Sequence, residues 1–145
     1  EADGSDNLGS MYEEVENILG NDRQTLRWET KQATAQDYDV LIRYQLPDNF
    51  IEFKPTNGLV LDYRTTGTLT ESRIDITVGK EGLTGDFLSS TGLGLSNAGW
   101  TSDDFVVATG ASWAPGDVME IKVKMQTTQS FEAVIADIRL NMVVD

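Results

Sequence analysis

DYDVLIRYQLPDNFIEF, residues 37–53, alternates strictly from Val40 and then stops at Pro47. Val40, Ile42, Tyr44 and Leu46 fall on one side of an extended chain; Leu41, Arg43 and Gln45 fall on the other. Successive side chains of a strand point to opposite faces, so a period of two marks a strand with one face buried. Proline has no N–H to give a ladder, and Asp48-Asn49 favours a turn. The strand therefore ends at Pro47, and a short one restarts over residues 51–53.

The same period recurs along the chain. Residues 25–30 set Leu26 beside Trp28, and residues 58–65 set Leu59, Leu61 and Tyr63 against Asp62 and Arg64. Residues 72–79 place Ile74, Ile76 and Val78 opposite Arg73, Asp75 and Thr77. A short apolar strand is expected over 104–110. Residues 117–126 set Met119, Ile121, Val123 and Met125 against Glu120, Lys122 and Lys124. Residues 132–144 set Val134, Ala136, Ile138, Leu140, Met142 and Val144 against Asp137, Arg139 and Asn141. Seven or eight such strands predict an all-β fold, an antiparallel two-sheet sandwich of jelly-roll-like form, spanning residues 25–145. Ile42, Tyr44, Leu61, Ile74, Ile76, Ile121, Val123, Ile138 and Leu140 are its expected core.

Ahead of residue 25 the period changes. Residues 1–9 are small, acidic and poor in apolar groups, as in a flexible tail. Ser10 and Glu13 match a capping box, and Leu8, Met11, Val15 and Ile18 form a stripe that Tyr12 and Leu19 widen. Gly20-Asn21 is a helix stop. These signals predict one short helix over 11–19, so that residues 1–24 form a tail and helix ahead of the sandwich. Asp3, Ser5 and Asn7 alternate as calcium-loop ligands do, but Leu8 stands where the turn glycine belongs, and a tail is the preferred reading.

Composition narrows the function. Twenty-four acidic residues against eleven basic ones give a net charge of −13. That charge repels phosphate backbones and anionic lipids, so neither nucleic acid nor a membrane is an expected partner. No apolar run approaches the roughly 20 residues of a membrane span. The chain has no His and no Cys. Thiolate zinc sites, disulfides, cysteine nucleophiles and a Ser-His-Asp arrangement are thereby excluded within it.

The remaining motifs are weak. Gly92, Gly94 and Gly99 lack the lysine and the helix of a phosphate loop. Asp103-Asp104 reads as a strand end, since a glycosidase needs two carboxylates facing each other across a bond. No catalytic residue, metal ligand or cofactor is expected. Trp100 and Trp113 are able to stack on a sugar ring, yet they flank one strand and should lie at opposite ends of the sandwich. Each then plugs a core end or an interface.

One gap, residues 80–102, is long for a compact domain. It carries Leu83, Phe87, Leu88, Leu93, Leu95 and Trp100, which must pack on the end of the domain or on a neighbouring subunit. With Met11, Val15 and Ile18 of the expected helix, these are the candidate oligomer interface.

QLPDNF, LVLDYRT, SRIDITV, APGDVMEIKVKM and AVIADIRLNMVV follow one another with a long loop before the fourth. In this order the chain resembles, over residues 25–144, the β-sandwich virion proteins of tailed bacteriophages: head-decoration proteins, head fibres and fibre-tip domains. The resemblance implies a non-enzymatic homotrimer located on the virion, with other virion proteins or a host-surface glycan as further partners. It carries over no catalytic residue. The competing reading is a carbohydrate-binding or adhesive module, because this fold does not dictate function. Exposed aromatics on one face would favour the sugar binder; apolar side chains left exposed in the single chain would favour self-association.

Overall fold

The computed structural model describes residues 8–18, 20–88, 92–108 and 112–145. Among them are ten strands and no helix. They are β1 (Ser10–Ile18), β2 (Asn21–Glu29), β3 (Gln36–Gln45), β4 (Phe50–Phe53), β5 (Leu59–Thr65), β6 (Ser72–Lys80), β7 (Thr101–Phe105), β8 (Val118–Thr127), β9 (Glu132–Leu140) and β10 (Met142–Val144). All pairings are antiparallel. A five-stranded sheet runs β1-β2-β9-β5-β7, a three-stranded sheet runs β3-β8-β6, and β10 pairs with β4 at the side. Asp3, Ser5, Asn7 and Leu19 lie outside the described residues.

The two larger sheets stack through β8 on β9 and β2, and through β6 on β9 and β5. Their facing sides make the core. The middle strand β8 supplies Met119, Ile121, Val123 and Met125, all buried. Ile74, Ile76 and Val78 of β6 flank them on one side, Tyr38, Val40 and Ile42 of β3 on the other. Across the gap stand Trp28, Leu59, Leu61, Tyr63, Ala133 and Ile135. Of the expected core, Leu61, Ile74, Ile76, Ile121 and Val123 are buried, and Ile42, Ile138 and Leu140 pack at its rim. Tyr44 has the expected parity but stays 39% exposed, because β3 is an edge strand and its last residues extend past the opposing sheet's cover.

The expected helix is a strand. Residues 10–18 pair over their full length with β2, from Ser10 opposite Glu29 to Ile18 opposite Asn21. Gly20, read as a helix stop, is the hairpin turn, with φ +88°. A two-turn helix is too short to be stable in water alone. As a strand, the same residues pair their β2-facing backbone groups with β2 and bring Glu14 and Glu16 within reach of arginines. Residues 10–24 thus belong to the five-stranded sheet.

Two other boundaries move. The strand after the long gap is β7, Thr101–Phe105, earlier than expected. The last strand divides at Asn141, whose side chain donates to the Asn57 carbonyl at 2.8 Å. β10 then leaves β9 and pairs with β4, which gives the short strand after Pro47 its partner.

The long gap closes the free edge of β6. Leu95 exchanges two backbone hydrogen bonds of 2.9 Å with Ile74, the Ile76 N–H donates to the Gly92 carbonyl at 2.7 Å, and the Phe87 N–H donates to the Val78 carbonyl at 2.7 Å. Asp86 adds a carboxylate for the Val78 N–H at 3.0 Å. Gly92 lies so close to Ile76 that a Cβ there would overlap the Ile76 carbonyl oxygen and Cγ2. Gly92→Ala is therefore expected to lift this cover and cost about 1–3 kcal/mol, as overpacking does. Chemical denaturation checks it; a loss below about 0.5 kcal/mol would show that the cover yields freely.

Candidate functional site

The outer face of the five-stranded sheet gathers charge. Alternation sends Glu14 and Glu16 of β1, Arg23 and Arg27 of β2, and Asp62 and Arg64 of β5 away from the core, and the register shift in β9 lets Glu132 and Arg139, seven positions apart, share that face. The strand order then makes neighbours of residues far apart in sequence. Arg64 bonds Glu16 at 2.9 Å and also Glu132. Arg27 bonds Glu14 at 2.8 Å and Glu132 at 3.5 Å, with the Tyr12 ring 5.0 Å from its guanidinium carbon. Burial works against the charge on Arg64, but hydrogen bonds to Glu16 and Glu132 outweigh it and hold the guanidinium protonated.

A second knot centres on Asp62, whose side chain is 4% exposed. It accepts from Arg23 at 2.9 Å, from Arg139 at 2.7 and 2.9 Å, and from the Ser102 hydroxyl. Burial pushes its carboxyl up, but these donors and the two cations outweigh that and hold it below the ordinary carboxylate value. Arg23 also reaches Asp137 at 2.7 Å. Asp137 lies in the stretch where the β5–β9 register shifts.

Trp100 joins the two knots. Its ring lies over Arg64, 5.6 Å from the guanidinium carbon, and its Nε1–H donates to Glu16 at 3.3 Å. Beside it opens a cavity of about 380 Å³ lined by Ile18, Arg23, Asp62, Trp100, Thr101, Ser102 and Arg139.

Next to this face the sheet ends at β1, whose outer edge has no partner strand among the described residues. Leu8 and Val15 are each 66% exposed and Tyr12 40%. Val15 shares its face with Met11, yet Met11 packs on the core and Val15 does not. The hairpin overhangs the smaller sheet there.

The candidate interface residues are dispersed over these features. Val15, Leu83 and Leu93 are exposed. Met11, Phe87 and Leu95 are half-buried against the core, and Leu88 is buried. Ile18 is buried on the outer face beside the cavity, and Trp100 is half-buried over Arg64. Trp113 sits elsewhere, edge-on to Phe53 and Phe87 at 5.6 and 6.1 Å, where it closes one end of the core. Asp103 and Asp104 point to opposite faces of β7. Asp103 accepts from the Tyr63 hydroxyl at 2.8 Å, and burial followed by that bond keeps the phenol protonated far above its usual range.

Arg23, Asp62, Ser102 and Arg139 escape a reading of the sequence. Alternation marks them as polar-face residues, but up to 116 positions separate them, Arg23 from Arg139. Only the order β2-β9-β5-β7 joins them. Among the described residues no three acidic side chains are placed to hold a metal ion, and no helix is long and apolar enough to cross a membrane.

No protein-family model and no curated protein matches the chain.

Proposed function

We propose that this chain is a non-enzymatic structural module of the virion kind, a capsid-decoration or fibre domain, that works by assembling with copies of itself into a homotrimer. The observation that carries the reading is the bare edge of β1. Sheets ordinarily protect an edge with short strands, prolines, lysines or bulges, because a row of unpaired N–H and C=O groups templates pairing with another chain. β1 is nine residues long, has neither proline nor lysine, and keeps unbroken register with β2. Of its three glutamates, Glu14 and Glu16 face Arg27 and Arg64, and only Glu13 stands exposed without an ion pair among the described residues. Leu8, Tyr12 and Val15 stay exposed beside it.

The order β2-β9-β5-β7 facing β3-β8-β6 supports a jelly-roll winding, an architecture used by capsid and lectin domains alike. In a three-fold ring the β1 edge meets a different surface of the next copy; in a two-fold pair it meets itself. A charge of −13 per chain opposes either contact. Association should therefore tighten as salt screens it, over about 10 Å at 0.1 M.

Sedimentation at micromolar concentration tests the proposal. The expected mass is three times the 16.0 kDa of one chain. Val15→Lys places a charge on the overhang and should yield monomers without lowering the melting temperature. A wild-type chain that stays monomeric in high salt would sink the reading. An assembly untouched by Val15→Lys would move the contact away from β1.

A further inference from the structure

We infer that the cavity beside Trp100 binds one neutral sugar residue of a glycan. The inference does not rest on self-association. Its volume, about 380 Å³, falls at the small end of ligand sites, which run to about 300–1,000 Å³. One wall is an indole. Arg64 lies over that ring and Glu16 takes its N–H, so the platform is fixed before any ligand arrives. The apolar C–H face of a pyranose fits such a platform.

The polar walls suit the hydroxyls of that ring. Asp62 pins Arg23 and Arg139 in place, and no described residue accepts from Nε or Nη2 of Arg23 or from Nε of Arg139. These are planar donors on side chains held by Asp62, free to donate to sugar hydroxyl oxygens. Ser102 gives its own proton to Asp62 and so keeps lone pairs free to accept from a sugar hydroxyl. Preorganised groups spare the ligand most of the ordering cost.

Charge selects a neutral ligand over an acidic one. Asp62 and Asp137 already match the two guanidinium charges. A carboxylate or sulfate would find no local excess of positive charge, and would meet the repulsion of a chain carrying −13.

The test uses the intact chain, labelled with ¹⁵N, and reads the indole N–H resonances of its tryptophans. Trp100→Phe assigns the Trp100 signal. The probes are glucose, galactose, mannose, N-acetylglucosamine and disaccharides of each, with glucuronate as the anionic counterpart. The Trp100 signal should shift saturably with at least one neutral probe at about millimolar concentration, while Trp28 and Trp113 stay still. Trp100→Ala should weaken that binding by about tenfold or more, and Ser102→Ala by about threefold or more. Trp113→Phe should leave it unchanged. No saturable shift at Trp100 from any neutral probe overturns the inference. So does tighter binding of glucuronate than of glucose. Loss of binding in Trp113→Phe would overturn the placement at this cavity. A saturable shift of one indole signal among the three in the wild type is the decisive readout, and each variant is scored with its remaining indole signals at their wild-type positions, so that loss of fold is not read as loss of binding.

Discussion

Ile121→Ala destabilises the protein by about 2–5 kcal/mol, the range for truncating a fully buried aliphatic side chain. Ile121 is 1% exposed. It sits on β8, the middle strand of the smaller sheet, between Ile42 on β3 and Val78 on β6. Strands hold it on both sides and the five-stranded sheet lies above it. The hole left by three lost carbons cannot collapse, so the loss of packing adds to the loss of burial. Leu41→Ala is the control. Leu41 is one position out of phase with Ile42, points outward and is 46% exposed, and its truncation should stay within about 0.5 kcal/mol. Urea unfolding of both variants, at equal m-value, decides it. If the two costs were reversed, β3 and β8 would each carry the opposite face inward, since a slip of one residue flips every side chain.

Asp62→Asn should cost about 3–5 kcal/mol, as removal of one partner from a buried ion pair does. The lower end is expected, because Arg23 and Arg139 keep 29% and 43% of their side chains in water and can turn outward. The amide cannot balance two guanidinium groups, and its NH₂ would face donors where the carboxylate accepted. The pH dependence follows from the direction of the shift. Asp62 is held below its ordinary value of 3.8, so its stabilisation is fully present above that pH and is lost as pH falls through the lower, folded value. The wild type should therefore lose stability on acidification below about pH 4 more steeply than Asp62→Asn does. Denaturant midpoints of the two proteins at matched pH check this. Parallel acid profiles would mean that Asp62 is not the carboxylate that matters.

Alternation of side chains determined the all-β character, because a period of two is compatible only with extended chain that has one wet face. It placed Leu61, Ile74, Ile76, Ile121 and Val123 inward and Asp62, Arg64, Lys122 and Lys124 outward, without knowledge of any pairing. It also stopped the strand at Pro47. The segment 10–18 went the other way. Its apolar spacing and capping box read as helix, but both signals are local, and pairing with residues 21–29 settles the matter through hydrogen bonds that no local pattern encodes. The long gap was legible as apolar and therefore packed; that it seals the edge of β6 through Phe87, Gly92 and Leu95 depends on which edge is free. The cavity at Trp100 lay furthest from view. Its arginines, aspartate and serine come from four strands, and the two arginines and the aspartate balance one another's charge across dozens of positions. Side-chain parity is a property of the extended chain alone, so the sequence determined faces only within unbroken strands; in β9 the register shift between Ile135 and Ile138 puts Val134, expected inward with Ile138 and Leu140, on the outer face instead. Strand order is chosen by the sum of contacts across both sheets, so only the tertiary structure decided which of those residues became neighbours.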